Sequence, residues 1–259
     1  MDLGISGKTA IVCASSRGLG RGCAEALAEA GCHVVINGRD DDILAKTAKE
    51  IAGSSGAKIT PVAADVATAD GQKALLDAAG QVNILVNNNA GPPLRDFREL
   101  DRQAMIDGAI GNMVTPIEMI QAVADGMIER QFGRIVNITS LSVKMPVPGL
   151  DLSSGARAGL TAFLAGVCRQ IAGSNVTINN LLPGKMDTDR LRANIKAGAE
   201  KAGISVDEMR ARQIDDIPAK RFGNATEFGQ VCAFLCSAHA GYITGQNILT
   251  DGGLVPTAF

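Results

Sequence analysis

The sequence predicts a doubly wound α/β fold, in which helices cover both faces of one seven-stranded parallel sheet. Two observations support this fold class. Short runs rich in β-branched residues alternate with longer segments of helical period along the whole chain. The short runs are continuously apolar, as strands are when helices bury both of their faces. No linker interrupts the alternation, so we expect residues 1–259 to form a single domain.

Seven segments of the sequence have the composition of strands. They are Thr9 to Cys13, His33 to Asn37, Lys58 to Ala64, Ile84 to Asn87, Arg134 to Thr139, Val176 to Leu181 and Asn247 to Thr250. Between the first two, apolar residues recur at helical spacing over Gly20 to Ala30, which predicts the first crossover helix. Gly31 follows this helix as its expected C-terminal cap.

The segment at about 185–220 departs from the alternation. It is polar and rich in Ala, Arg and Lys, yet it falls between two predicted core strands. A long insertion of this kind in a compact domain often closes over a ligand, so we predict a helical substrate flap. A plain surface insertion fits the same composition.

Composition and charge exclude several classes of function. The formal net charge of −2 offers no diffuse positive field for a nucleic-acid backbone. No stretch approaches the roughly 18 consecutive apolar residues of a membrane span, and the N-terminus does not resemble a signal peptide, so we expect a cytoplasmic protein without a membrane partner. The six cysteines form no CxxC pairs, and we expect Cys232 and Cys236 to be buried helix residues rather than metal ligands. No metal site is predicted.

The turn after the first strand has the pattern of a dinucleotide-binding loop. Gly18 and Gly20 would let the backbone approach a pyrophosphate, and the helix that follows offers free N–H groups and the positive end of its dipole. An ordinary strand-to-helix turn is the alternative. The residues expected to line the cofactor here are Ala14, Ser15, Ser16, Arg17, Gly18, Leu19 and Gly20.

The end of the second strand indicates which dinucleotide would bind. The segment from Asn37 to Arg39 lacks the acidic residue that accepts hydrogen bonds from the adenosine ribose of NAD. The guanidinium of Arg39 can instead hold a 2′-phosphate through paired charge-assisted hydrogen bonds, with Arg17 as a second positive contact. We therefore expect NADP(H) to be preferred over NAD(H), although Arg39 as a solvated charge is the alternative. Asp65 is placed for the adenine amino group, or to cap a helix beginning near Ala67.

Taken together, the motifs resemble those of the short-chain dehydrogenase/reductase family, and in particular its 3-oxoacyl-ACP reductase-like members, over nearly the whole chain. Ala14 stands at the family's first glycine, and Asn89 and Ala90 stand at the Ala and Gly of its Asn-Asn-Ala-Gly turn. The resemblance implies a Rossmann-type fold. The cofactor contacts that it implies beyond the glycine turn are Asn37, Asp65, Val66, Asn88, Asn89, Ala90, Pro183, Gly184, Met186 and Thr188. C-terminal segments resembling those that build the family's tetramer, such as Asp251 to Gly253, imply a homotetramer, with a dimer as the alternative.

The resemblance fails at the residues that usually catalyse the reaction. In the family, a Tyr follows the catalytic Ser by thirteen residues and a Lys follows that Tyr by four; counted from Ser140, these places hold Ser153 and Arg157. Tyr242 is the only tyrosine of the chain. A serine hydroxyl is far less acidic than a phenol, and an arginine does not release its proton, so the ordinary proton relay is missing.

We therefore hypothesise a substitute relay for a small carbonyl or secondary alcohol substrate. Ser140 would donate a hydrogen bond to the oxyanion, and Asn112 would hold a water that delivers the proton. Arg157 would supply a fixed positive charge and bind the nicotinamide ribose. Lys144 and Lys185 are candidate substitute acids or simply solvent-facing lysines. Two other functions fit the altered site: an NADPH-binding regulatory or support protein with little turnover, and a lyase or isomerase that uses the dinucleotide structurally.

Overall fold

The computed structural model describes residues 1–256 and contains one seven-stranded sheet in the order β3-β2-β1-β4-β5-β6-β7. The strands are β1 (Thr9–Val12), β2 (His33–Gly38), β3 (Ile59–Ala63), β4 (Ile84–Asn87), β5 (Gly133–Ile138), β6 (Val176–Pro183) and β7 (Asn247–Thr250). All neighbouring strands are parallel. The predicted fold class is confirmed, and each strand lies within two residues of its expected ends.

Helices cover both faces of this sheet. They are α1 (Gly18–Glu29), α2 (Asp41–Ser55), α3 (Ala69–Ala79), α4 (Arg102–Ala109), α5 (Thr115–Glu129), α6 (Asp151–Ile171), α7 (Asp189–Ala202), α8 (Val206–Asp215) and α9 (Ala225–Leu235). A π-helical turn, Ile110–Val114, joins α4 to α5. Within residues 1–256, no helix combines the length and the apolar character needed to cross a bilayer.

Alternate residues along the strands build two separate cores. On β5, Ile135 packs into a cluster with Met119 of α5 and Leu164 of α6. Its neighbour Val136 points to the opposite face and packs into the cluster formed with α1, α2 and α9. Burial on both faces accounts for the continuous apolar character of the central strands.

The first crossover agrees with the sequence-based expectation. Helix α1 begins two residues earlier than predicted, at Gly18, and Gly31 follows it at a φ of +82°, with its N–H bonded to the carbonyl oxygen of Ala28. Cys232 in α9 and Cys236 just after it are buried. Helices α1 and α9 touch backbone to backbone, because a Cβ at Gly229 would overlap the carbonyl oxygen of Gly22.

The strand order fixes where a ligand can bind. The chain leaves β1 toward β2 and β3, then returns past β1 to β4, so the crossovers diverge between β1 and β4. In an open parallel sheet, the crevice at such a switch point lies outside the carboxyl ends of the strands. The glycine turn after β1, the Asn87 turn after β4, Ser140 after β5 and Pro183 at the end of β6 all lie at this edge.

Candidate functional site

The glycine turn has the geometry that a phosphate cradle requires. Gly18 has a φ of +59°, and a Cβ at Gly20 would overlap the carbonyl oxygen of Ala14. Arg17 occupies the N-cap of α1, and no side chain caps the helix there. The first-turn N–H groups of α1 are therefore available at the switch point, where they and the helix dipole favour an anion.

Ala14 is the irregular residue of this turn. Its φ is +44°, in the left-handed region that glycine occupies readily and that a Cβ disfavours. Two hydrogen bonds hold it there: its N–H donates to Oδ1 of Asn37 over 3.2 Å, and its carbonyl oxygen accepts from Nδ2 of Asn88 over 3.1 Å. The resemblance placed a glycine at this position, and the backbone keeps the glycine-like conformation.

Ser15 and Asn37 support the turn from beneath. Ser15 is fully buried; its Oγ donates to the carbonyl oxygen of Val12 over 2.7 Å and accepts from the N–H of Asn37 over 2.9 Å. Asn37 is also buried, and its Nδ2 donates to the carbonyl oxygens of Val62 and Ala64. These polar atoms are used inside the protein, so both residues shape the loop, and direct contact with a cofactor stays a prediction for them.

The two arginines predicted to select NADP(H) are exposed at the rim of the turn, and neither forms an ion pair with any residue in 1–256. Arg39 directly follows β2, and a Cβ at the neighbouring Gly38 would lie 3.0 Å from Cβ of Ser16, so the backbone of Arg39 is close to the glycine turn. An unpaired guanidinium in this position is free to bind a phosphate monoester. Leu19 is partly exposed in the first turn of α1.

Asp65 is exposed after β3, whereas the adjacent Val66 is buried in the core. The alternative that Asp65 caps the next helix is wrong, because Thr68 is the N-cap of α3 and accepts from the N–H of Gly71. One oxygen of the Asp65 carboxylate accepts from the N–H of Ala67 over 2.9 Å. Its position at the rim is compatible with the predicted contact to adenine.

A row of asparagines that the sequence analysis missed runs beneath the crevice. In-register positions on four neighbouring strands hold Asn87, Asn137, Asn180 and Asn247. Each side-chain amide bonds to the next: Asn87 donates to Asn137 over 2.9 Å, Asn137 to Asn180 over 3.0 Å, and Asn180 to Asn247 over 2.9 Å. Finding it from the sequence would have required the strand register, since the asparagines stand at different places along their strands, from the last residue of β4 to the first residue of β7.

Ser153 and Arg157 meet one turn apart on α6, and both are buried. Nη1 of Arg157 donates to Oγ of Ser153. This contact leaves the hydroxyl hydrogen of Ser153 free to donate elsewhere. Burial, together with the nearby charge of Arg190, lowers the pKa of Arg157 to about 10, so the guanidinium still carries its charge at neutral pH.

Asn112 lies beside this pair in the π-helical turn. Its Nδ2 donates to the carbonyl oxygen of Gly108 over 3.2 Å, while its buried Oδ1 has no hydrogen-bond partner within residues 1–256. Asn112, Arg157 and Asn137 line a small polar cavity with room for a single water molecule. The structure thus brings Asn112 to Arg157, as the substitute relay requires.

Ser140 follows β5 at the same edge of the sheet. Its Oγ accepts from the N–H of Ser142 over 3.1 Å and so caps the short 3₁₀ helix Leu141–Val143. Because this bond uses the oxygen as an acceptor, the hydroxyl hydrogen remains available for a ligand. Donation from Ser140 to an oxyanion stays a prediction.

The loop after β6 lies across the crevice from the glycine turn. Gly184 has no room for a side chain because a Cβ would press on Asp251, and Met186 is buried and pairs with Gly223. Thr188 caps α7, and its methyl group lies 3.8 Å from the position of a Cβ at Gly18. Thr188 therefore spans from the loop to the phosphate cradle.

The turn after β4 also faces this loop. Asn88 binds Ala14, Nδ2 of Asn89 donates to the carbonyl oxygen of Gly111 over 3.2 Å, and the N–H of Ala90 bonds to Oδ1 of Asn89. Next to it, a Cβ at Gly91 would lie 2.8 Å from Nη1 of Arg190 and 3.1 Å from Nη1 of Arg157. Sequence analysis did not single out Arg190, which enters the site only because α7 folds back over this turn.

Neither of the lysines considered as substitute acids contacts Ser153 or Arg157 in the described structure. Nζ of Lys185 bonds to Asp216 over 3.1 Å and to the carbonyl oxygen of Gln213, which ties the loop after β6 to the end of α8. Lys144 is exposed. Tyr242 is fully exposed and precedes β7, at the amino edge of the sheet, so it cannot replace the missing tyrosine.

Comparison with known proteins shows what this chain is similar to. A family model described as enoyl-(acyl carrier protein) reductase matches residues 13–255. The chain is 32% identical over 254 residues to a 3-oxoacyl-(acyl-carrier-protein) reductase of Vibrio harveyi, covering 97% of this chain and 99% of that one. It is 30% identical to an NADPH-dependent reductase of Bacillus subtilis, with 96% and 98% covered. The structure of L-sorbose reductase from Gluconobacter frateurii, complexed with NADPH and L-sorbose, superposes with a TM-score of 0.94 at 27% identity and covers 99% of this chain and 100% of that one.

Proposed function

The chain belongs to the short-chain dehydrogenase/reductase family, and on that premise we propose that it is an NADP(H)-dependent oxidoreductase that interconverts a small carbonyl compound and its secondary alcohol. One observation carries the proposal: the N-terminus of α1 lies at the switch point without a side-chain cap. Arg17 and Arg39 are exposed at its rim and form no ion pair with the residues that the structure describes. This combination of free N–H groups and guanidinium groups suits a dinucleotide that bears an additional phosphate.

The residues present fit the cofactor along its whole length. The turn from Ala14 to Gly20 would hold the pyrophosphate, Arg17 and Arg39 the 2′-phosphate, and Asp65 the adenine. The remaining contacts assigned by the resemblance, on the ribose and nicotinamide side, are Asn88, Asn89, Ala90, Pro183, Gly184, Met186 and Thr188. When bound, the reduced cofactor supplies a hydride to the carbonyl carbon.

The chain's own residues must then manage the charge and the proton on the carbonyl oxygen. We assign the hydrogen bond to that oxygen to the hydroxyl of Ser153 or Ser140, and the stabilisation of its negative charge to the guanidinium of Arg157. The proton would come from a water that Oδ1 of Asn112 accepts from. Addition of hydride to carbon and of this proton to oxygen would give the alcohol, and a proton from bulk solvent would convert the remaining hydroxide back to water. Without a strong general acid, the rate should be lower than that of a relay with tyrosine by about 10² to 10⁴.

The test compares the natural site with a restored one. Loss of NADPH absorbance is followed across a panel of aldehydes, ketones and quinones, for the natural chain and for the double variant Ser153→Tyr with Arg157→Lys. We expect measurable turnover by the natural chain and about 10²-fold faster turnover by the double variant. If the natural chain is silent on every substrate and the double variant is active, the proposal of an enzyme fails.

A second candidate function is an NADPH-binding regulatory or support protein with little or no turnover. The observation that favours it is the absence of a phenol near Arg157, since Tyr242 lies at the other edge of the sheet. The same experiment separates the two functions. Tight NADPH binding without turnover would select the second.

Assembly and location remain predictions. A group of exposed apolar side chains on α4, the π-helical turn and α6 supports a homo-oligomer, with a tetramer expected before a dimer. The group consists of Met105, Ile106, Ile110, Val114 and Phe163. Light scattering coupled to size-exclusion chromatography would give the mass of the assembly directly. The cytoplasmic location rests on the sequence.

A further inference from the structure

Two positively charged side chains meet beside the Gly91 turn, and neither has an acidic partner within residues 1–256. Arg157 is 8% exposed, and in the described part of the chain its guanidinium donates to the neutral hydroxyl of Ser153. Nη2 of Arg190 donates to the carbonyl oxygen of Pro92 over 3.0 Å. Both guanidinium groups face the same side of Gly91, and partial burial lowers the pKa of Arg190 as it does that of Arg157.

The protein's other buried arginine shows how unusual this is. Arg134 is 1% exposed, and four hydrogen bonds surround its guanidinium: to the carbonyl oxygens of Ser237, Gly133 and Asn175, and to Oδ1 of Asn175. A buried charge is tolerated when its donors are satisfied in this way. Arg157 has one such acceptor and a second positive charge nearby, so its surroundings are built to receive a negative charge.

We propose that Arg157 and Arg190 bind a carboxylate of the substrate, so that the reacting carbonyl compound is a 2-oxo or 3-oxo acid. This inference rests on the proposed function, because it names the substrate class of the same site. Guanidinium groups pair with the planar carboxylate through two parallel hydrogen bonds. A dianionic phosphate is harder to desolvate beside a group as buried as Arg157.

The contact between Arg157 and Ser153 limits the distance between the two groups of the substrate. The carbonyl oxygen must reach the hydroxyl of Ser153, and the carboxylate must reach the guanidinium that touches the same hydroxyl. Because the two protein groups touch, a carboxylate one or two bonds away from the carbonyl carbon matches their spacing best. A 4-oxo acid should therefore be a poorer substrate than a 2-oxo or 3-oxo acid.

The first experiment measures binding independently of turnover. Calorimetry compares oxamate, an unreactive carboxylate, with the uncharged oxamide, both with and without NADPH. We expect oxamate to bind at least about tenfold more tightly than oxamide, and Arg190→Gln to abolish the difference. Arg212→Gln is the matched control: it removes one positive charge from the flap, at a residue that pairs with Glu208, and should change nothing.

The second experiment measures the preference in turnover. Pyruvate and acetoacetate are compared with their uncharged methyl esters, levulinate tests the spacing, and dihydroxyacetone phosphate against dihydroxyacetone tests the phosphate. We expect the acids to be preferred about tenfold or more in kcat/KM, with the loss in Arg190→Gln appearing mainly in KM. NADPH affinity should be the same in Arg190→Gln as in the natural chain.

The inference would be overturned by equal binding of oxamate and oxamide, by a preference for the phosphorylated ketone, or by loss of NADPH affinity in Arg190→Gln. The last of these results would assign the arginines to the cofactor's phosphates. The proposed function fails differently. Reduction of neutral ketones without any preference for acids would leave the oxidoreductase intact and remove the carboxylate site. Binding of oxamate without any binding of NADPH would leave the carboxylate site intact and remove the proposed oxidoreductase.

Discussion

Two halves of the sheet hold their functional groups in different ways. The glycine-turn half comprises β1 to β3 with α1 and α2, and it presents backbone N–H groups that the turn itself positions. The α6 half comprises β4 to β6 with α4 to α7, and it presents side chains, above all Ser153 and Arg157. The first half keeps the glycines of the family's pattern at Gly18 and Gly20, whereas the second departs from the pattern at Ser153 and Arg157, where the family has its Tyr and Lys.

The difference follows from what each half must preserve. Gly18 and Gly20 cannot be exchanged without moving the chain, because one has a positive φ and the other touches Ala14. Ser153 and Arg157 are two side chains on a regular helix, and they can be exchanged while α6 still packs through Leu160 and Leu164. Chemistry in the α6 half can therefore change while the fold and the phosphate cradle persist.

The largest effect is expected from closing the glycine turn. In Gly20→Ala the new methyl group would overlap the carbonyl oxygen of Ala14, so the turn must move. The N–H groups at the start of α1 would then no longer point toward the expected position of the phosphates. We expect NADPH affinity to fall about 100-fold or more, measured by fluorescence titration. Gly155→Ala is the control in α6, since nothing lies within 4 Å of its Cβ position. If Gly20→Ala bound NADPH as tightly as the natural chain, the glycine-turn half would not depend on its backbone geometry, and the contrast with the α6 half would be wrong.

The second effect probes what stabilises the α6 half. Asn137→Ala removes the centre of the asparagine row and leaves Oδ1 of Asn180 without its donor, so we expect a loss of about 2–4 kcal/mol in the free energy of unfolding, measured in urea. Asn247→Ala removes only the end of the row at the edge strand, where the position is partly exposed, and should cost about 1 kcal/mol or less. Equal costs would show that the amides do not act as a connected row.

The third effect tests the charge at the rim of the glycine-turn half. Arg39→Ala should weaken NADPH binding by more than about 1.4 kcal/mol, which is tenfold, and leave NADH binding nearly unchanged. The comparison of the two cofactors is its own control, because NADH lacks the 2′-phosphate. If the affinities for NADPH and NADH fall by the same factor, the predicted preference for NADP(H) is wrong.

The smallest effect concerns the one irregular residue of the glycine-turn half. Ala14→Gly relieves a left-handed φ of +44° but adds freedom to the unfolded chain, and we expect a net gain of about 1 kcal/mol or less. For a chain of this length, that corresponds to a rise of about 2–4 °C in Tm per kcal/mol. A fall in Tm would mean that the hydrogen bonds of Asn37 and Asn88 already remove the strain.

The sequence by itself determined the fold class, the strands and the position of the glycine turn. Apolar runs and helical periodicity are local patterns, and Gly18 and Gly20 within one turn express a backbone requirement that is also local. The replacement of the family's Tyr and Lys by Ser153 and Arg157 was equally visible, because both positions are counted along one helix.

The tertiary structure decided what those residues have as neighbours. The asparagine row exists only through the register of four strands, and Arg190 meets Arg157 only because α7 folds over the Gly91 turn. Hydrogen bonds and charges act through space, between residues that lie far apart along the chain. No local pattern encodes such distances, so only the folded chain could show that Arg190 adds a second positive charge beside Arg157.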